Sequence, residues 1–180
     1  EGLGSQGGYW YLDTRKHELK GGVGSQFRDV VKAADIVDRK LKAYAKIFPT
    51  MMHGDPKAAN IVFSKDWKQC AMYDLQYCGL GVGAKDLAYL LTTSCDEECL
   101  EREAEILTIY HSELISKLKT LGRAESSAEK FTVEVLTDMF ELAVLDFLRF
   151  LAGWGSWGSV GWAMERTAKR LSKILEEDAK

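Results

Sequence analysis

Between Phe27 and Phe48 the apolar positions recur at steps of three and four residues, a pattern that predicts an amphipathic helix. These positions are Val30, Val31, Ala34, Val37, Leu41, Tyr44 and Ala45. Pro49 should end the helix, because proline has no amide hydrogen to continue the helical ladder. The chain is therefore expected to be helical up to residue 48.

The pattern changes at residue 50, where short apolar and partly β-branched stretches predict strands. TMMH and NIVFS are two such stretches, SKDWK is a polar turn, and QCAMYDLQ is predicted to be the returning strand. The glycine-rich CGLGVGAKD that follows is predicted to be a loop. These residues together predict a small β-hairpin region.

The rest of the chain predicts helices. AKDLAYLLTTS should form a short helix, and residues 95–122 a long amphipathic one with Asp96 as its N-cap and Gly122 as its stop. Residues 126–152 and 160–178 predict two more helices, separated by a glycine and tryptophan loop. The predicted fold class is α+β, mostly α, with the hairpin packed on helices.

The first 26 residues are rich in glycine and predict a connecting segment with one short anchored element, which leaves residues 27–180 as one body. The net charge of −3 gives no basic footprint for nucleic acid, and no apolar run approaches the ~18 residues that span a membrane. The chain begins with Glu1 and shows no signal segment, so we expect a fragment or a trimmed chain. The oligomeric state is left open.

The four cysteines are too few for a disulfide scaffold, so free thiols and a cytoplasmic location are expected. Cys95 and Cys99 are four residues apart and would share a helix face, a spacing that could hold half of a zinc site. No second pair of soft ligands stands at a zinc-finger spacing.

Asp55, Asn60 and Asp74 stand among residues that predict buried strands. Burying an unpaired carboxylate is costly, and the usual reason for it is a metal ion or a reacting proton. A tight loop and the hairpin would bring the three side chains together. Asn60 and Asp74 would suit Mg²⁺, which takes few protein ligands, and Asp55 could accept a proton from an attacking hydroxyl.

Three motifs in this order resemble the protein-kinase-like small-molecule kinases: the aminoglycoside phosphotransferases, choline kinases and ecdysteroid-kinase-like proteins. HGDPKAAN (53–60) is similar to their H-x-D-x-x-x-x-N catalytic loop. YDLQ is similar to their metal-binding motif, which corresponds here to residues 74–76. GVGAKDLAYLL and, less specifically, DFLRFLAGWGSWG are similar to later segments. The resemblance covers roughly residues 27–165 and implies the C-terminal lobe of a kinase-like fold.

The resemblance implies that Asp55 is the catalytic base and that Asn60 and Asp74 hold magnesium. The cofactors would be ATP and Mg²⁺, and the partner a small molecule whose hydroxyl is phosphorylated. Lys57 stands where protein kinases place a lysine that contacts phosphate.

Two further residues would support this site. The resemblance implies that His53 is buried and hydrogen-bonds the backbone around the metal-binding aspartate, and that Asp86 is structural.

The family's N-terminal lobe carries a glycine-rich loop and a strand lysine, and no such strand precedes the helix here. We therefore expect these 180 residues to follow a missing N-terminal lobe. Without that lobe, we expect them to bind ATP weakly and to catalyse negligible phosphoryl transfer. The alternative is a non-catalytic kinase-like remnant that acts as a binding module.

Plainer interpretations stand beside these roles. The three polar residues could cap a turn, His53 could be a core histidine, Lys57 a surface lysine and Asp86 a helix cap. An aromatic stripe could bind a cationic substrate or pack in the core; it comprises Phe140, Phe147, Phe150, Trp154, Trp157 and Trp162. Acidic residues could bind that cation or form a solvated face with one buried Asp146–Arg149 pair; they are Glu134, Asp138, Glu141 and Asp146.

Overall fold

The computed structural model describes residues 4–122 and 129–178, and helices make up most of it. The helices are α1 (Leu12–Arg15), α2 (Arg28–Lys32), α3 (Ala34–Ile47), α4 (Ala84–Ser94), α5 (Glu97–Glu101), α6 (Glu103–Thr120), α7 (Val133–Trp154) and α8 (Val160–Asp178). The strands are β1 (Thr50–Met52), β2 (Ile61–Phe63), β3 (Cys70–Met72) and β4 (Gly79–Gly81). The predicted α+β, mostly helical class is confirmed.

The strands form two antiparallel ribbons, β2 with β3 and β1 with β4. The first ribbon confirms the predicted hairpin. The second shows that the prediction of a plain glycine loop was wrong at Gly79–Gly81. These glycines lie in a strand because neighbouring backbone approaches closely: a Cβ on Gly79 would lie 2.7 Å from the amide nitrogen of Gly7.

Helix α7 is the centre of the core, and α3, α4, α6 and α8 pack against it. Its buried residues include three aromatic side chains and the carboxylate of Asp146. The predicted Asp146–Arg149 pair is confirmed, with 2.6 Å between the Nη2 and Oδ1 atoms. Lys85 of α4 reaches the other oxygen of Asp146 at 3.0 Å. The two cations lower the pKa of Asp146 although its burial alone would raise it.

Several predicted helix boundaries shift. The helix expected up to Phe48 is interrupted at Ala33, and the helix expected over 95–122 is interrupted at Arg102. Asp96 caps α5 as predicted, accepting from the amide of Cys99 at 2.9 Å. The helix predicted from residue 126 has its first residues outside the described ranges, and Thr132 caps α7.

The N-terminal segment contains more helical structure than the one short anchored element that we predicted. After α1 it continues as a 3₁₀ helix over Lys16–Gly21. Trp10 and Leu12 are buried, and the carbonyl of Trp10 accepts from Arg149 Nη2 at 2.7 Å. This segment therefore packs on the helical body. Within the described part of the chain, no helix combines the length and apolarity required to cross a membrane.

Candidate active site

The loop of residues 53–60 connects β1 to β2 and ends in a 3₁₀ turn over Ala58–Asn60. Gly54 adopts a φ of +85°, which a residue with a side chain rarely does. A Cβ there would overlap the carbonyl oxygen of Tyr77 and lie 2.7 Å from the amide nitrogen of Gly8. The start of the loop is thus pressed between two other segments of backbone.

Asp86, near the start of α4, holds this part of the loop. Its carboxylate accepts from the amide of His53 at 2.7 Å and from the amide of Gly54 at 3.0 Å. Burial raises the pKa of Asp86, and the two amide bonds partly offset that rise. The structure therefore places Asp86 against the loop, and its carboxylate bonds to the loop and does not cap α4, whose N-cap residue is Gly83.

His53 connects the loop to the segment before Asp74. Its Nδ1 accepts from the amide of Asp55 at 3.3 Å, and its Nε2 lies 2.9 Å from the carbonyl oxygen of Tyr73. A nitrogen that accepts carries no proton, so the proton is on Nε2, which donates to Tyr73. The structure places His53 where the resemblance implies a support, and the imidazole fixes the two backbone segments relative to each other.

Asp55 is 2% exposed, and its two carboxylate oxygens differ. Oδ2 accepts from Lys57 Nζ at 2.8 Å and from Asn60 Nδ2 at 3.0 Å. Oδ1 is buried and has no hydrogen-bond partner within residues 4–122 and 129–178. The bond to Asp55 raises the pKa of Lys57, so this lysine stays a cation next to the carboxylate.

Asp74 lies on the solvent side of the site. Its backbone is in the left-handed region, with φ 63° and ψ 63°, and its Oδ2 accepts a long bond of 3.3 Å from Gln76 Nε2. The amide of Tyr73, the preceding residue, donates to the carbonyl of Asn60 at 3.1 Å. The charge of Asp74 also contributes to the raised pKa of Lys57. The structure therefore brings Asp74 close to the Asp55 cluster without a direct bond to it.

The donor set can be tested against magnesium. Within residues 4–122 and 129–178, no group of three or more His, Cys, Asp or Glu side chains is placed to hold a metal. A magnesium ion needs only one or two protein ligands when water and phosphate complete its shell. Asn60 turns its amide nitrogen to Asp55, which leaves the amide oxygen, and Asp74 offers an exposed carboxylate. One amide oxygen and one carboxylate fit the ion.

The cysteine pair is a poor zinc site. Within the described ranges, Cys95 and Cys99 belong to no group of three or more His, Cys, Asp or Glu side chains placed to hold a metal. A structural zinc site needs four such ligands. The structure leaves all four cysteines unbridged.

The structure places half of the aromatic stripe in the core, since Phe140, Phe147 and Phe150 are buried. The exposed ring of Trp154 lies against the guanidinium of Arg15, at 4.8 Å from the ring centroid. Core packing is therefore confirmed for the three phenylalanines.

The acidic residues of the C-terminal helices are also engaged by the chain itself. Glu141 pairs with Arg166 and Asp138 with Arg170, at 2.6 and 2.7 Å. Asp146 lies in its buried network, and Glu134 is exposed.

Sequence reasoning missed three residues near the loop. The Ser94 hydroxyl accepts from the amide of Ala58 at 2.9 Å, and the hydroxyls of Tyr9 and Tyr89 lie 3.0 Å apart beside Asp55. The spacing of Tyr89 from Asp86, three residues along α4, was a signal that both share a helix face. No sequence signal pointed to Tyr9.

Residues 14–123, more than half of the chain, match the model of the ecdysteroid kinase-like family. The match includes residues 14–26, which we had placed outside the resemblance, and ends short of residue 165. No curated protein and no solved structure matches the chain. The expected resemblance to kinase-like proteins is confirmed, and the chain belongs to the ecdysteroid kinase-like family.

Proposed function

We propose that this protein is a phosphotransferase that transfers the γ-phosphoryl group of ATP to a hydroxyl of a small molecule, with magnesium. The observation that carries the proposal is the buried Asp55 carboxylate. It is held by Lys57 and Asn60 through one oxygen, while His53 holds its backbone amide. A carboxylate held in this way suits a group that must orient a hydroxyl and accept its proton.

Oδ2 is the working oxygen of Asp55 in this proposal. Lys57 covers it in the structure, and the side chain of Lys57 is 41% exposed and therefore able to move. When Lys57 turns to the transferred phosphoryl group, Oδ2 becomes free for the substrate hydroxyl. The proton of that hydroxyl passes to Asp55 as its oxygen bonds to phosphorus and the bond to the leaving ADP oxygen breaks.

Asn60 and Asp74 would hold the magnesium ion, through the amide oxygen and the exposed carboxylate. When bound, the ion supplies charge neutralisation on the phosphate oxygens. Apolar side chains flank Asp74 and are open to solvent: Val62, Tyr73 and Leu75 are at least half exposed. This surface supports the proposal of a nucleotide, because it could contact the flat base while Asp74 faces the phosphates.

The test is a pair of substitutions in the longest protein that the transcript encodes. Asp55→Asn should lower kcat by about 10²- to 10⁴-fold and leave ATP binding intact, because Asp55 is not assigned to the metal. Asp74→Asn should raise the magnesium requirement together with the loss of turnover, because it removes a charge from the metal shell. ADP release with magnesium titrated measures both. Wild-type kcat in Asp55→Asn would refute the assignment of the base.

The second candidate is a non-catalytic binding module. None of the four described strands contains a lysine, and Lys57 is engaged with Asp55. The expected N-terminal lobe and the cytoplasmic location remain proposals. Calorimetry with ATP and magnesium, on residues 1–180 and on the longest encoded form, separates the candidates. Binding by the longest form without ADP release for any hydroxyl compound would favour the module.

A further inference from the structure

Helix α4 holds the start of the catalytic loop through Asp86, whose carboxylate accepts hydrogen bonds from the amides of His53 and Gly54. Tyr89, three residues later, lies on the same face of the helix. Tyr89 is 1% exposed. Its ring packs against Phe147 and Trp157 with centroid distances of 5.0 and 6.0 Å, so the position of its hydroxyl is fixed by the core.

In the part of the chain that the structure describes, the hydroxyl of Tyr89 has one hydrogen-bonding partner, the hydroxyl of Tyr9 at 3.0 Å. Tyr9 comes from the N-terminal segment, which is held by backbone bonds from Gly7 to Leu80 and from Gly8 to Tyr77. In a pair of hydroxyls one donates to the other. If Tyr9 donates, the proton of Tyr89 is available for a third group.

That third group is close. Among the described residues, Oδ1 of Asp55 has no hydrogen-bond partner although it is buried, a state that is costly for a carboxylate oxygen. The backbones that precede Tyr9 and Asp55 are in contact, since a Cβ on Gly54 would lie 2.7 Å from the amide nitrogen of Gly8. The pKa of Tyr89 is raised by burial first, then by Tyr9 and by Asp55, in agreement with this placement. Burial and Asp55 also raise the pKa of Tyr9, against the opposing effect of Tyr89. Both hydroxyls therefore keep their protons at neutral pH.

We propose that Tyr9 and Tyr89 are positioning residues for the catalytic carboxylate: Tyr9 donates to Tyr89, and Tyr89 donates to Oδ1 of Asp55. The carboxylate is then held at Oδ1 by the tyrosine pair, while Oδ2 faces the substrate hydroxyl. This inference rests on the proposed function. It makes the N-terminal segment part of the active site, because Tyr9 reaches the base through Tyr89.

The kinetic test compares Tyr89→Phe, Tyr9→Phe and the double variant in the longest encoded protein, by ADP release with ATP and magnesium. Tyr89→Phe should lower kcat by about 10-fold or more, since a small misplacement of a catalytic group costs up to about 10²-fold. KM for ATP should not change. Tyr9→Phe should have a smaller effect, and the double variant should equal Tyr89→Phe, because Tyr9 acts through Tyr89. In the Asp55→Asn background, Tyr89→Phe should have no further effect.

The matched control is Tyr44→Phe, which removes a tyrosine hydroxyl that donates to Asp138 at 2.8 Å, away from the loop. It should lower thermal stability about as much as Tyr89→Phe and leave kcat unchanged. Unchanged kcat in Tyr89→Phe, or additive effects of the two tyrosine substitutions, would overturn the proposal. If Asp55→Asn itself leaves kcat unchanged, the proposed function fails instead.

A second measurement does not depend on turnover. Proton NMR of residues 1–180 should show a slowly exchanging signal for the buried Tyr89 hydroxyl. The signal should be absent in Tyr89→Phe and shifted in both Asp55→Asn and Tyr9→Phe. A Tyr89 signal that is unaffected by Asp55→Asn would show that the hydroxyl does not bond the carboxylate, whatever the enzyme transfers.

Discussion

The two sides of the candidate site are built in opposite ways. The base side, formed by His53, Asp55 and Asp86, is mostly buried and joined by hydrogen bonds within the loop and to α4. The metal side, formed by Asp74–Gln76, is exposed, and among the described residues its side chains make one hydrogen bond, of 3.3 Å. Asn60 lies between the two sides, with its amide nitrogen bonded to Asp55 and its amide oxygen left for the metal. The carboxylate of Asp55 on the base side is therefore held in one position, whereas the carboxylate of Asp74 on the metal side is free to adjust to what it binds.

The ribbons that carry the two sides differ in the same sense. β1 pairs with β4, and the N-terminal segment bonds to β4 as well: Leu80 accepts from the amide of Gly7 and donates to the carbonyl of Gly4. Most of β2 and all of β3 are exposed. A base must keep its orientation through the reaction, whereas a metal ligand must admit an ion with its phosphates. The contrast predicts that substitutions on the base side alter stability and those on the metal side alter binding.

The largest effect should come from Gly54→Ala. The new Cβ would overlap the carbonyl of Tyr77 and press on the backbone of Gly8, at a φ of +85°. Overpacking and left-handed strain together should cost about 3–5 kcal/mol of unfolding free energy. Gly122→Ala is the matched control, because Gly122 has a φ of +65° and no atom of the described residues lies within 4 Å of the added Cβ. It should cost about 1 kcal/mol.

Denaturant unfolding of the two glycine variants measures the difference. Similar losses would mean that the loop yields to the added methyl group, and the base side would then be as adjustable as the metal side.

Asp86→Asn should have the next largest effect. The carboxylate accepts two amides, whereas an asparagine presents one oxygen and one NH₂ group, so the amide of His53 or Gly54 would lose its acceptor. The cost should be about 1–3 kcal/mol, the usual penalty for a buried donor left unpaired. Asp96→Asn is the control, because Asp96 is an exposed N-cap and asparagine caps equally well. Thermal unfolding that ranks the two variants equally would contradict the role of Asp86.

The sequence alone predicted what is local along the chain. The H-x-D-x-x-x-x-N spacing places Asp55 and Asn60 in one short loop, and the polar SKDWK turn places β3 beside β2. It did not predict β4 or Tyr9, because both depend on contacts between distant parts of the chain. β4 pairs with β1, 27–31 positions earlier, and Leu80 of β4 accepts from the amide of Gly7. Tyr9 meets Tyr89, 80 positions later. Where two backbones approach closely, as at Gly79, glycine is required, and a strand rich in glycine looks like a loop in the sequence.

The smallest effect, and one of opposite sign, is expected for Asp74→Gly. Asp74 has a left-handed backbone at φ 63°, and glycine adopts that conformation without steric cost. Relief of about 1–2 kcal/mol of strain, reduced by the ~0.5–1 kcal/mol of entropy that glycine loses on folding, should leave the variant more stable by up to about 1 kcal/mol. Trp67→Gly tests the same relief at φ 60° in the β2–β3 turn, although it also removes the contact of Trp67 with Phe63. Asp74→Gly should meanwhile bind magnesium more weakly than Asp74→Asn and need still more of it for turnover, since no side-chain oxygen remains at position 74. A clear loss of stability in Asp74→Gly would show that the carboxylate supports the fold, and the metal side would no longer differ in kind from the base side.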